Sequence, residues 1–257
     1  MRASNPNVKI QADNAGLCTG GHFNGTVRLM EKNLDLPLRV KKPTAWAIWS
    51  DLFHEGVPDE FIGRAFGTMA AAHWHIFMIL TKRATRLREW SRAVMYYPCG
   101  DRASRPVLGW PPNAWIGVTA ENQETADERL PQLIQVPAAV RFVSVEPMLG
   151  PVNLFDSVPG VFGTLRHPPY IGHIQWFVCG GESGKNARPV NPQWVHSLRD
   201  QCVSAGVPFF FKQWGEWASV QGDTVQITRV GKKVAGRSLD GIAWNDLPIK
   251  LTKEEQR

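Results

Sequence analysis

Six short motifs in this chain end in groups that can move protons or bind anions. They are Ser50-Asp51 with His54 close behind, Thr81-Lys82-Arg83, Thr119-Ala120-Glu121-Asn122, Ser144-Val145-Glu146-Pro147, Gly180-Gly181-Glu182-Ser183-Gly184, and Lys212-Gln213-Trp214-Gly215. Each follows a run of apolar, β-branched or aromatic residues. Carboxylates, lysines and amides in such a set suit a polar metabolite, a nucleotide or a phosphate. Lys82 and Arg83 supply a point charge and a planar fork for phosphate. Glu146 stands before Pro147, which restricts its backbone and holds the carboxylate in place. The glycines after Cys179 permit a sharp turn and a close ligand approach. Trp214, and Trp217 beyond it, offer faces for stacking a base, although such tryptophans more often close a core. Glu146, Glu182 and Lys212 are the candidate catalytic groups. Asp51, His54, Lys82, Arg83, Glu121, Asn122, Ser183, Gln213 and Trp214 are the candidate substrate contacts. No residue is assigned to a metal.

Those groups meet only if the elements before them run the same way. The pattern predicts strands over 45–49, 76–80, 114–118, 140–145, 174–179 and 207–211. Helices are predicted over 59–72, 84–93, 124–134 and 192–205, the first and last carrying apolar residues at helical spacing. Continuous apolar strands alternating with helices indicate a parallel sheet. A partial β/α barrel and an open doubly wound sheet both fit. The barrel-like form is favoured, because polar clusters recur at strand ends and no G-x-G-x-x-G follows an early strand. The expected fold is therefore α/β, a partial (β/α) barrel-like, mainly parallel sheet of about six strands. Residues 1–24 read as an irregular arm, 25–217 as one domain, and 218–257 as a hairpin and polar tail. A short strand is expected at 26–30 and a basic connection at 34–43. Loops rich in Pro or Gly span 96–113 and 148–173. If the strands are parallel, Asp51, Lys82, Glu121, Glu146, Glu182 and Lys212 converge at their carboxyl ends, with both lysines near carboxylates.

Composition bounds the rest. The 257 residues are 43% hydrophobic and 20% charged, ordinary for a globular protein. The net charge of +6 is compatible with nucleotides or nucleic acid but too diffuse to identify either. Cys18, Cys99, Cys179 and Cys202 lie too far apart for a zinc or local iron–sulfur motif. With no long apolar run and no signal-like start, a cytoplasmic location without a membrane span is expected. Oligomeric state is not legible.

The motifs, taken with Arg141–Pro151 and Phe210–Gly215, are similar to those of a family of phage and prophage proteins of unknown function, over roughly residues 22–217. Its members usually carry a three-cysteine motif near the start that looks like the cluster loop of radical S-adenosylmethionine enzymes. The resemblance implies a partial β/α barrel, a four-iron cluster and S-adenosylmethionine, and an enzyme acting on nucleic acid or nucleotides. This chain departs from the pattern, with only Cys18 in that region. It is thus expected to hold no such cofactor, and to be a truncated or degenerate member or the product of a late start codon. The alternative is a non-catalytic nucleotide- or nucleic-acid-binding protein, or a remnant. The Gly-Gly-Glu resembles the amino-group motif of that superfamily but follows a late strand, so the role is not transferred.

Overall fold

The computed structural model describes residues 16–19, 22–48, 50–94, 109–155, 170–220 and 226–248. Six strands form its main sheet: β3 (Ala45–Ala47), β4 (Ile76–Thr81), β5 (Ala114–Thr119), β6 (Arg141–Val145), β7 (Trp176–Gly180) and β8 (Phe209–Gln213). They are hydrogen-bonded in chain order, and every neighbouring pair is parallel. This is the α/β, partial-barrel sheet read from the sequence. Two small antiparallel pairs flank it: β1 (Cys18–Thr19) with β2 (His22–Phe23), and β9 (Trp217–Val220) with β10 (Gln226–Arg229).

The helices among the described residues are α1 (Leu36–Arg39), α2 (Asp59–Ala71), α3 (Ala84–Val94), α4 (Gln123–Leu133), α5 (Pro192–Ser204) and α6 (Lys232–Ala235). Their starts follow local chemistry. Asn122 caps α4 by accepting from Thr125 N at 3.0 Å, and Thr125 returns the bond to the Asn122 backbone. Asn191 caps α5, with Pro192 in the first turn.

Period-two alternation splits the sheet into two faces. Phe77, Ile79, Ile116, Val118, Val143, Val145, Phe177, Cys179, Phe209 and Phe211 join the main core with residues of the helices. The opposite face carries a smaller cluster of Trp115, Val140, Phe142, Trp176 and Val178, edged by half-buried Ile76, Met78, Leu80 and Phe210. Trp176 is its centre, with Phe142 and Phe210 rings at 5.7 and 6.1 Å. This second face is the concave floor beneath the strand-end groups.

Some boundaries move. Residues 26–30 form no strand, and the connection at 34–43 contains α1. The last strand starts two residues later than expected because Pro208 has no N–H for the ladder. Lys212 and Gln213 therefore lie within β8 rather than beyond it. The edge of β8 is also occupied: Phe211 N donates to Trp244 O at 3.1 Å, and Asp246 N donates to Phe209 O at 3.3 Å. With Leu239 fully buried and Trp244 packed on the core, residues 239–246 cover an edge that would otherwise be open for pairing. Most of the loop at 96–113, residues 156–169 of the second loop, Trp49 and the last residues lie outside the described residues. No described helix is long and apolar enough to cross a membrane.

Candidate functional site

The concave face is built in rows. Thr119 pairs with Ser144, Ser144 with Val178 and Val178 with Phe210, so these four side chains form one row across β5 to β8. Above it, at the carboxyl ends, stand Glu121, Glu146, Gly180 and Lys212. Two charged centres result.

The first is buried. Glu121, with an 11% exposed side chain, receives Lys82 Nζ on Oε1 and Arg129 Nη1 on Oε2, the latter at 2.9 Å. Arg129 Nη1 also donates to Thr119 O at 2.9 Å and to Thr119 Oγ1 at 2.8 Å. Burial is the main reason the Lys82 ammonium has a lowered pKa, and the neighbouring Arg129 charge adds to it, despite the carboxylate against it. A buried carboxylate shared by two cations is stable only as a set, since removing one member leaves uncompensated charge.

The second centre is open. Glu146 Oε2 accepts from Lys212 Nζ at 3.1 Å and from Ser144 Oγ at 3.2 Å. Lys212 reaches Glu146 over β7, and Gly180 is the β7 residue between them. A Cβ on Gly180 would lie 2.5 Å from Glu146 Oε1. The Glu146 side chain is 17% exposed and that of Lys212 is 55% exposed. The Glu146–Pro147 peptide is cis.

Other candidates are engaged elsewhere. Asp51 acts as a staple: Oδ1 accepts from Phe53 N at 3.0 Å and Thr81 Oγ1 at 2.6 Å, and Oδ2 from Lys82 N at 3.2 Å and Arg83 Nη1 at 2.8 Å. Arg83 is spent on Asp51 and Glu55. His54 Nδ1 accepts from Gly56 N at 3.1 Å, within a loop whose carbonyls Arg86 ties down. Asn122 is the α4 cap. Glu182 forms a two-pronged pair with Arg188 at 2.7 and 3.1 Å, and that guanidinium holds its carboxyl below the usual carboxylate range. Ser183 is exposed on the same loop. Gln213 is buried, faces the main core side and donates to Gly181 O at 3.4 Å. Trp214 packs edge-on to Phe211 at 4.8 Å and donates Nε1 to Ser238 O at 2.7 Å, so it anchors the C-terminal segment instead of offering a free face. Trp217 likewise donates to Ala187 O at 2.8 Å.

The glycines serve packing more than ligand approach. Besides Gly180, a Cβ on Gly181 would meet Trp214 O at 2.0 Å. Of the expected cluster, Lys82 and Glu121 meet, as do Glu146 and Lys212, so both lysines sit beside carboxylates. Asp51 joins the first group through the Lys82 backbone, whereas Glu182 is paired on its own loop. Arg129, absent from the sequence motifs, belongs to the first centre, and Thr119 and Ser144, present in the motifs without an assigned role, support the two centres. Ser144 was findable, since it lies two residues before Glu146 and so shares its face. Arg129 comes from within a helix and carried no local signal.

Of the cysteines, Cys179 and Cys202 lie in the main core. Burial raises the Cys179 thiol well above its ordinary pKa and pushes Cys202 up to about 12. Cys179 Sγ faces Met148 Sδ at 3.8 Å. Both cysteines are fully buried in the main core rather than on the concave face, so they do not fit as ligands of a four-iron cluster beside the strand-end groups. Cys99 and the Cys18 side chain lie outside what is described. Among the described residues, no group of three or more His, Cys, Asp or Glu is placed to hold a metal.

The chain belongs to a family described as a protein of unknown function (DUF5131), whose model matches residues 3–248. No curated protein and no solved structure matches it.

Proposed function

We propose that this member of the family binds a nucleotide or a close relative on the concave face of its sheet, with the flat body of the ligand over Leu80 and Val178, beside the Phe210 ring that Arg237 covers, and its anionic group at Lys212. The observation that carries the reading is the Glu146–Lys212 pair. The lysine is half exposed at the rim of an aromatic floor, and its carboxylate partner is positioned by Ser144 and by the space Gly180 leaves. An anionic oxygen can take the ammonium, and the freed carboxylate can accept from a ligand amine or hydroxyl. Few convergent polar groups over an apolar surface is the usual make-up of a small-molecule site. The buried Lys82–Glu121–Arg129 set fixes the adjacent wall. A cytoplasmic setting, where nucleotides are abundant, goes with this reading.

A second reading, an enzyme of the radical S-adenosylmethionine type acting on nucleic acid or nucleotides, draws support from the motif resemblance and from the consecutive six-strand parallel sheet. It requires three thiolates, and Cys179 and Cys202 are poorly suited to supply them. Calorimetric titration with nucleoside mono- and triphosphates and S-adenosylmethionine tests the first reading. Binding weakened at least about tenfold in Lys212→Ala, roughly the share of one charged hydrogen bond, is expected. If no ligand in the panel binds, or if Lys212→Ala binds as tightly as the parent, the reading fails. Anaerobic reconstitution with iron and sulfide tests the second: about four irons per chain would favour it.

A further inference from the structure

A basic stretch of the surface lies beside the open pair. The segments 182–190, 212–217 and 229–237 contain seven Lys or Arg and two Glu, a net +5 against +6 for the whole chain. They are sewn into one wall at the carboxyl ends of β7 and β8. Glu216 N donates to Glu182 O at 3.2 Å, Gly184 N donates to Glu216 Oε1 at 2.9 Å, and Arg229 Nη2 donates to Gly184 O at 2.8 Å. Val230 N and Gly231 N both donate to Glu216 O at 3.0 Å, and Trp214 N donates to Gly236 O at 3.1 Å. Both acids of the wall are occupied, Glu182 by Arg188 and Glu216 by the Gly184 amide. Lys185, Lys232 and Lys233 are exposed along it, beside exposed Arg188, Arg229 and Lys212, which hold Glu182, Gly184 O and Glu146.

We propose that this wall is a lip for the phosphate backbone of a single-stranded nucleic acid, so that the nucleotide entering the concave face is part of a strand. The proposal rests on the nucleotide reading of that face and adds the substrate class. Exposed cations on segments joined beside a cleft with an apolar floor match what such a strand presents: charges outside and a base that can be turned inward. Phosphate contacts position the strand and bases enter pockets. A free mononucleotide carries its charge at one end and has no use for Lys232 and Lys233, which lie on α6, beyond the hairpin.

The test uses fluorescence anisotropy with a labelled 20-residue single-stranded oligonucleotide, alongside calorimetry with the mononucleotide. The oligonucleotide should bind the parent protein and lose about 50-fold in affinity between 50 and 200 mM salt, as expected for roughly four phosphate contacts on a single strand. Lys232→Glu combined with Lys233→Glu, both on an exposed four-residue helix with no buried residue, should weaken the oligonucleotide at least about tenfold and leave the mononucleotide unchanged. Unchanged oligonucleotide affinity in that variant overturns the proposal. So does a parent protein that binds mononucleotide but no oligonucleotide, or one that binds anionic vesicles in preference to the oligonucleotide. A parent that binds the oligonucleotide through the lip yet no mononucleotide sinks the cleft reading and leaves the lip standing.

Discussion

Lys212 on β8 donates to the Glu146 carboxylate at the end of β6 at 3.1 Å, with β7 between them and only Gly180 beneath the contact. The lysine is 55% exposed, so solvent screens the pair. Lys212→Ala should therefore change folding stability by less than about 1 kcal/mol, the range of exposed pairs. Glu121→Ala, at the other charged centre, should cost about 3–5 kcal/mol, because it leaves Lys82 and Arg129 partly buried without their carboxylate. Urea denaturation of the two variants measures both. Equal costs would show that the two centres are not of different kinds.

The two adjacent glycines should also part company. In Gly180→Ala the new methyl meets the far end of the Glu146 side chain, which can swing away, so the fold should survive with the Glu146–Lys212 contact broken. In Gly181→Ala it meets the Trp214 carbonyl at 2.0 Å, where main chain must shift. A loss of about 3 kcal/mol is expected there, at the upper end of overpacking costs. Melting curves decide between them, and a Gly180→Ala variant as unstable as Gly181→Ala would contradict the assignment.

Glu182→Gln should leave the fold intact and lower stability near neutral pH by under about 1 kcal/mol. Arg188 depresses the native pKa of Glu182 below 4.5. Its contribution is then present above that unfolded value and lost as pH falls through the lower native one. The difference in urea midpoint between parent and variant should close on acidification. A difference that persists unchanged into strong acid would mean the carboxylate charge is not what Arg188 holds.

The core thiols should be inert in the native protein. With Cys18 and Cys99 replaced by serine, a thiol reagent near pH 8 should label neither Cys179 nor Cys202 until denaturant is added. The linkage runs toward alkali. Cys202 keeps its proton up to about 12 when folded, against 9.0 unfolded, so its contribution is complete below about 9 and is lost as pH rises toward 12. Rapid native labelling of Cys179 would reopen it as a ligand candidate.

Much of the fold was present in the order of residues, because strand and helix periods are local properties. Apolar runs such as Ile76–Leu80 and Ala114–Val118 read as strands, and their alternation with helices implies parallel neighbours. That in turn placed Lys82, Glu121, Glu146 and Lys212 at one end of the sheet, since every parallel strand finishes on the same side. Local signals mislead where a residue's partner is distant in sequence: Asp51 and Trp214 have the chemistry of site residues, yet Thr81, Lys82, Arg83 and Ser238 take up their polar groups once the chain folds. Asn122 is different, a site-like residue whose cap partner Thr125 is only three residues away. Which acid meets which base was also not local: Lys82 finds Glu121 across 39 residues and Lys212 finds Glu146 across 66. Those pairings depend on strand register and on the side-chain volume missing at Gly180. Arg129 enters the cluster only because α4 packs back against β5. Side-chain type and spacing determined that a polar rim exists on this protein; three-dimensional packing decided which of its groups a ligand can reach, because Lys212 stays half exposed beside its carboxylate while Glu121 and Arg129 are buried against each other.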